Sequence, residues 1–123
     1  MIGGVPGNFN VSARLGSSPF FVIEADEYDT AFFDKRAKFV HYRPRTLILN
    51  NLEYDHADIY PDMESLRIAF RRLINLVPRS GRLIVGADSA EAMRLLAAPR
   101  CAVETFGFAE TADWRASEVR PAP

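Results

Sequence analysis

Apolar residues along the chain form two alternating patterns, short continuous runs and longer stretches with helical spacing. Four short runs predict strands: FFVIEAD at 20–26, TLILNN at 46–51, GRLIVGAD at 81–88 and AVETFGF at 102–108. Runs of this length, rich in β-branched and aromatic residues, are typical of buried strands. About twenty residues separate the first two runs, which suits a crossover between parallel neighbours better than a tight hairpin.

Helical spacing follows the second and third runs. Asp62 is the predicted N-cap of a helix that ends at Pro78 and Gly81. Its apolar positions recur every three or four residues, at Met63, Leu66, Phe70, Leu73, Ile74 and Val77. A second helix begins at Asp88 or Ser89, with Glu91 in its first turn, and runs through Leu96 to Pro99. Because strands and helices alternate, we expect an α/β fold with a mostly parallel sheet flanked by helices.

Composition and charge narrow the function classes. The 123 residues are 48% hydrophobic and carry a formal net charge of −1, which predicts neither nucleic acid nor membrane as a partner. The single Cys101 excludes an internal disulfide and fits a reducing compartment. The start of the chain lacks a signal-peptide pattern, and no apolar run reaches the ~20 residues needed to cross a bilayer, so we expect a cytoplasmic protein. Residues 112–123 lose the periodicity and predict no closing element.

Polar clusters follow the first two predicted strands. EADEYD supplies Glu24, Asp26, Glu27 and Asp29, and NLEYDH supplies Asn51, Glu53, Asp55 and His56. The carboxyl ends of neighbouring parallel strands meet at one crevice, so we expect these clusters to face each other. Carboxylates and an imidazole suit Mg²⁺ with retained water, whereas a closed zinc site would need more His or Cys. The residues alone leave open both a metal site and solvated acidic loops with a structural histidine.

Other catalytic motifs are missing from the sequence. There is no nucleophile-elbow pattern, and GGVPGN lacks the Gly-Lys-Ser/Thr ending of a phosphate loop. We interpret GGVPGN as a turn or a substrate-side loop. Four arginines lie mostly off the apolar stripe of the first helix and predict a solvated face. They are Arg67, Arg71, Arg72 and Arg79.

The stretch VIEADEYDTAFFDKRAKFVHYRPRTLILNNLEYDHADIYPD resembles the central domain of the Mur ligases. The likeness begins at IGGVPGNFNVSARLGSSPFF and continues, more loosely, to ETFGF, so it covers most of the chain. The two acidic motifs carry most of its specificity. The tyrosine of EYD and the continuation FFDKR to LILNNLE favour the members that act in peptidoglycan recycling over those that add L-alanine in biosynthesis.

The resemblance implies an ATP-dependent amide ligase. ATP would phosphorylate the carboxylate of UDP-N-acetylmuramate, and the amine of a murein tripeptide would attack the acyl phosphate, with Mg²⁺ offsetting the crowded charge. It assigns Glu24 and His56 as Mg²⁺ ligands. Asn51 and Asp55 match the same motif as catalytic groups that orient the ligands or the substrate. The resemblance gives no individual role to Asp26, Glu27 and Asp29, and leaves Arg14 as either a substrate contact or a surface residue.

The resemblance also implies parts that residues 1–123 do not contain: an upstream phosphate loop, an N-terminal UDP-sugar domain and a C-terminal ligase domain. We therefore expect residues 1–123 to form part of a P-loop NTPase-like central domain and to be inactive alone. The missing strand would expose a sheet edge through which copies could self-associate. The alternatives are a central domain of an L-alanine-adding member and a non-catalytic binding domain of the same fold.

Overall fold

In the computed structural model, residues 1–55 and 57–120 are described. The strands are β1 (Asp29–Ala31), β2 (Asp34–Ala37), β3 (Thr46–Leu49), β4 (Arg82–Gly86), β5 (Ala102–Gly107) and β6 (Trp114–Arg115). The helices are α1 (Met63–Leu76) and α2 (Ala90–Arg94), and two 3₁₀ turns span Lys38–His41 and Leu95–Ala97. None of the helices in these ranges is long and apolar enough to cross a membrane.

The main sheet is parallel, with the strand order β3-β4-β5-β6. Leu47 pairs with Leu83, and Leu49 pairs with Val85, so these apolar side chains share one face. They pack with α1 and α2 in the hydrophobic core. On the opposite face the side chain of Ile48 is 64% exposed. The predicted α/β alternation is confirmed, and the core lies between the sheet and the helices on one of its faces.

Helix α1 begins where the sequence predicts. The Asp62 carboxylate accepts a hydrogen bond from the Ser65 backbone N–H at 2.7 Å, and the Ser65 hydroxyl accepts one from the Asp62 N–H, forming a capping box. The hydrogen bond from the Ser65 backbone N–H lowers the pKa of the Asp62 carboxyl group. The predicted apolar positions are buried or partly buried against the core. Helix α2 likewise follows its predicted start, with Ser89 rather than Asp88 as the N-cap.

Arg67 is an exception to the predicted solvated face of α1. Its guanidinium donates to the Glu91 carboxylate at 2.8 Å and to Glu64 at 3.2 Å, which raises the pKa of Arg67. The side chain is only 23% exposed. Because α1 and α2 lie on the same face of the sheet, an arginine beside the apolar stripe meets the neighbouring helix rather than water.

The prediction of a strand at residues 20–26 is wrong. Residues 20–26 form no strand, and the side chains of Phe20 and Val22 are 82% and 77% exposed. An apolar run needs neighbours to bury it, and the part of the chain that the structure describes places no strand beside it. The expected crossover to a parallel neighbour is instead an antiparallel hairpin, β1 and β2, followed by a 3₁₀ turn.

The tail does contain a closing element, contrary to the sequence prediction. Trp114 and Arg115 pair with Phe106 and Gly107 as the short parallel strand β6. The Asp113 carboxylate accepts from the Thr105 N–H at 2.8 Å and from the Thr105 hydroxyl at 2.7 Å, and these bonds lower the pKa of Asp113. A strand of only two residues is too short to leave a periodic signal in the sequence.

Candidate functional site

The two acidic segments border one cavity at the carboxyl end of β3. Its volume is about 480 Å³, and it brings together three of the predicted site residues, Glu24, Asn51 and Asp55. Glu27 and Glu53 also line it. The apolar part of the lining consists of Ala25, Phe39, Leu47, Ile48, Leu49, Leu52, Phe70 and Leu73. The predicted ligand His56 lies outside the described residues, so the structure places only part of the expected set.

Glu24 is held by the beginning of the chain. Its backbone N–H donates to the Met1 carbonyl at 2.9 Å, and its Oε2 accepts from the Gly3 backbone N–H at 2.6 Å. A backbone donor on a carboxylate oxygen fixes the direction of that side chain. The glycine-rich start therefore supports Glu24, a role that its interpretation as a turn or substrate-side loop did not include.

Oxygen atoms dominate the polar lining of the cavity. The Asn51 side-chain amide donates to Glu53 Oε1 at 3.2 Å, which orients both groups at the end of β3. Within residues 1–55 and 57–120, no three His, Cys, Asp or Glu side chains are arranged to hold a metal ion. Carboxylate and amide oxygens nevertheless suit Mg²⁺, which takes one or two carboxylates and keeps water in its other positions.

Tyr60 joins the two acidic segments. Its hydroxyl donates to the Glu27 carbonyl at 2.7 Å, and its own carbonyl accepts from the Tyr54 hydroxyl at 2.8 Å. The side chain is 8% exposed, and burial, followed by the nearby charges of Glu27 and Asp29, raises the pKa of Tyr60. Sequence reasoning missed this residue, because its partner Glu27 lies 33 positions away in the sequence.

Gly86 allows β4 to approach the end of β3. A Cβ atom at this position would collide with the backbone carbonyl of Asn50. A glycine at the end of an apolar strand often marks such a close approach of two backbones. The glycine at the end of the apolar run LIVG is visible in the sequence, but the sequence does not show which backbone segment approaches it.

The other candidate residues lie in different surroundings. The Asp29 carboxylate pairs with Lys35 at 2.6 Å within the β1–β2 hairpin. Arg14 stacks over the ring of Phe9 at 4.9 Å and lines a separate apolar cavity of about 380 Å³. The structure therefore does not bring Arg14 together with Glu24.

A cavity at the carboxyl end of a strand in a parallel sheet lies where α/β domains bind their ligands. Residues 5–122 match the family model of the Mur ligase middle domain. The chain belongs to the Mur ligase family and corresponds to this domain. The resemblance inferred from the two acidic motifs is confirmed.

Two similar curated proteins bear the same name, UDP-N-acetylmuramate–L-alanyl-γ-D-glutamyl-meso-2,6-diaminoheptandioate ligase. The Escherichia coli protein is 54% identical over 97% of this chain and 26% of its own length. The Haemophilus influenzae protein is 57% identical over 79% of this chain and 21% of its own length. The chain thus spans about a quarter of the length of these relatives.

A solved structure with the corresponding name, the ligase from Neisseria meningitides, superposes with a TM-score of 0.84. It is 49% identical, and the match covers 96% of this chain and 39% of that one. By contrast, a UDP-N-acetylmuramate–L-alanine ligase from Chlorobium phaeobacteroides is 36% identical over 98% of this chain and 24% of its own length. The sequence is therefore more similar to the Escherichia coli and Haemophilus influenzae ligases than to this L-alanine ligase.

Proposed function

We propose that this chain is the middle-domain part of an ATP-dependent ligase that joins UDP-N-acetylmuramate to the tripeptide L-alanyl-γ-D-glutamyl-meso-diaminopimelate in peptidoglycan recycling. The identity of 54% and 57% to two ligases of that name carries the proposal, because two UDP-N-acetylmuramate–L-alanine ligases are only 36% and 40% identical. The cavity that joins the two acidic segments supports it independently.

The reaction has two steps. A carboxylate oxygen of UDP-N-acetylmuramate attacks the γ-phosphorus of ATP, so that an acyl phosphate forms and ADP leaves. The amine nitrogen of the tripeptide then attacks the acyl carbon, inorganic phosphate leaves, and the amine gives up a proton as the amide forms. Each step brings several negative oxygens together, which requires positive charge and oriented donors at the site.

In this chain, the negative charge would be offset at the cavity that the two acidic segments line. We assign Glu24 and His56 as ligands of Mg²⁺, which when bound offsets the negative charge of the phosphates and the carboxylate. Asn51 and Asp55 would orient the ligands and the substrate from the end of β3. Glu24 suits this role because the Gly3 N–H already fixes its carboxylate at the cavity.

The test is ligation by the full-length enzyme that carries this chain, measured as phosphate release that requires both UDP-N-acetylmuramate and the tripeptide. Loss of a group that only orients a ligand costs about 10–100-fold, so Glu24→Ala and His56→Ala should lower the rate by more than about 100-fold. Glu110→Ala is the matched control, because its exposed carboxylate lies in the β5–β6 connection. Circular dichroism should show an intact fold in all three variants.

Several outcomes decide between the alternatives. Faster turnover with L-alanine than with the tripeptide would favour the L-alanine ligase assignment. Full activity in Glu24→Ala or His56→Ala would remove that residue from the site. The 123-residue chain by itself should give no turnover, and turnover there would contradict the proposed dependence on further domains.

A further inference from the structure

Ser89 connects two elements through one oxygen atom. Its hydroxyl oxygen accepts the Ala92 N–H at 3.3 Å, which caps α2, and also accepts the Leu52 N–H at 3.2 Å, 37 residues away in sequence. Both bonds are partly shielded from solvent. An N-cap serine ordinarily serves its own helix, so the bond to Leu52 is an additional function of this hydroxyl.

Leu52 lies in the middle of the second acidic segment, between Asn51 and Glu53. Its side chain is 5% exposed and packs in the hydrophobic core. Pairing of β3 with β4 ends at Leu49 and Val85, so the backbone after Leu49 needs other contacts to fix its path. The bond from Ser89 supplies one of these contacts, and the approach of Gly86 to the Asn50 carbonyl supplies another.

We infer that Ser89 is a positioning residue for the ligation reaction. By holding the Leu52 amide, its hydroxyl sets the direction in which Asn51 and Asp55 enter the cavity at the end of β3. It does not touch the cavity itself, since the lining residues do not include it. This inference rests on the proposed function for its effect on rate, whereas the bond to Leu52 can be tested without any activity.

The competing explanation is that Ser89 only caps α2. Ser89→Gly separates the two roles, because glycine at an N-cap costs a helix only a few tenths of a kcal/mol while the bond to Leu52 is lost. Ser89→Thr keeps a hydroxyl at the same position. Asp62→Gly is the matched control, since it removes the N-cap of α1 and the structure gives its carboxylate no bond to residues 50–55.

In the full-length enzyme, Ser89→Gly should lower kcat/KM for ligation about 10-fold and raise the Mg²⁺ concentration for half-maximal rate by a similar factor. Ser89→Thr should restore both values to within about twofold, and Asp62→Gly should leave both near the parent values. In the 123-residue chain, NMR hydrogen exchange of the Leu52 amide should be about 10-fold faster in Ser89→Gly than in Asp62→Gly, because one protecting bond of about 1.4 kcal/mol is lost.

Unchanged kinetics in Ser89→Gly would overturn the inference, and so would unchanged exchange of the Leu52 amide. Equal kinetic losses in Ser89→Gly and Asp62→Gly would assign the effect to helix capping and would also overturn it. If the full-length enzyme ligates neither amine, the proposed function fails. In that case Leu52 exchange still decides whether Ser89 holds this segment.

Discussion

At the scale of single residues, Tyr60 joins the two acidic segments. Its buried ring lies in the core, and its hydroxyl reaches the Glu27 carbonyl across a sequence separation of 33 residues. The phenol must stay protonated to donate this hydrogen bond. Burial and the nearby acidic charges favour the protonated form and therefore raise the pKa of Tyr60. The stability that this contact provides should depend on pH.

Tyr60→Phe should lower the free energy of unfolding of the 123-residue chain by about 1 kcal/mol at pH 7, because one hydrogen bond is lost. The pKa of Tyr60 in the folded chain lies above its ordinary value of 10.0. The contribution of the hydroxyl is therefore complete below pH 10.0 and is lost as the pH rises through the folded pKa. Urea unfolding between pH 7 and 11 should show that the difference from the wild type narrows at the alkaline end.

Tyr28→Phe is the control, since this tyrosine is 43% exposed. Its free energy of unfolding is measured over the same pH range as that of Tyr60→Phe. A constant difference between Tyr60→Phe and the wild type over the whole pH range would contradict the proposed role of the phenol proton.

At the scale of elements, the carboxyl end of β3 is fixed by its neighbour β4. The parallel register carries Leu49 beside Val85, and the next residue of β4 is Gly86. The Asn50 carbonyl occupies the space where a side chain at position 86 would begin. The position of Asn51 therefore depends on glycine at position 86, because every other residue type has a Cβ atom there.

Gly86→Ala should lower the free energy of unfolding by about 1–3 kcal/mol, because the added methyl group meets backbone in a closely packed strand pair. Gly4→Ala is the matched control, since a Cβ atom at position 4 has no neighbour within 4 Å. Urea unfolding of both variants measures the difference. Equal stability of the two variants would show that β3 can move away from β4 at little cost.

At the scale of the whole molecule, β3 lies at one edge of the main sheet. No other strand in residues 1–55 and 57–120 pairs with its outer side. Ile48 on this strand is 64% exposed. An uncovered edge with exposed apolar side chains can pair with the same edge of another copy.

We therefore expect the 123-residue chain to self-associate as its concentration rises, which sedimentation equilibrium would detect. Ile48→Lys should weaken this association, because a charged side chain on an edge strand opposes strand pairing. Ile68→Lys is the control on α1, where the isoleucine is 41% exposed. A monomer at all concentrations, or equal association of both variants, would contradict this expectation.

The sequence by itself determined the elements whose signals are local. Asp62 and the apolar spacing after it gave the start and the buried face of α1, and Ser89 and Glu91 gave the start of α2. The apolar runs gave β3, β4 and β5, and the two acidic motifs gave the family. These features depend on neighbours within about one helical turn or one strand, and such neighbours can be read along a chain.

The tertiary structure alone decided which distant groups meet. The apolar run at residues 20–26 was expected to be a strand, but strand formation requires a paired neighbour and the described chain provides none. The bonds from Tyr60 to Glu27 and from Ser89 to Leu52 join residues 33 and 37 positions apart, and nothing in their local sequence specifies the partner. Local spacing can predict two acidic segments, but only packing places both of them around one cavity.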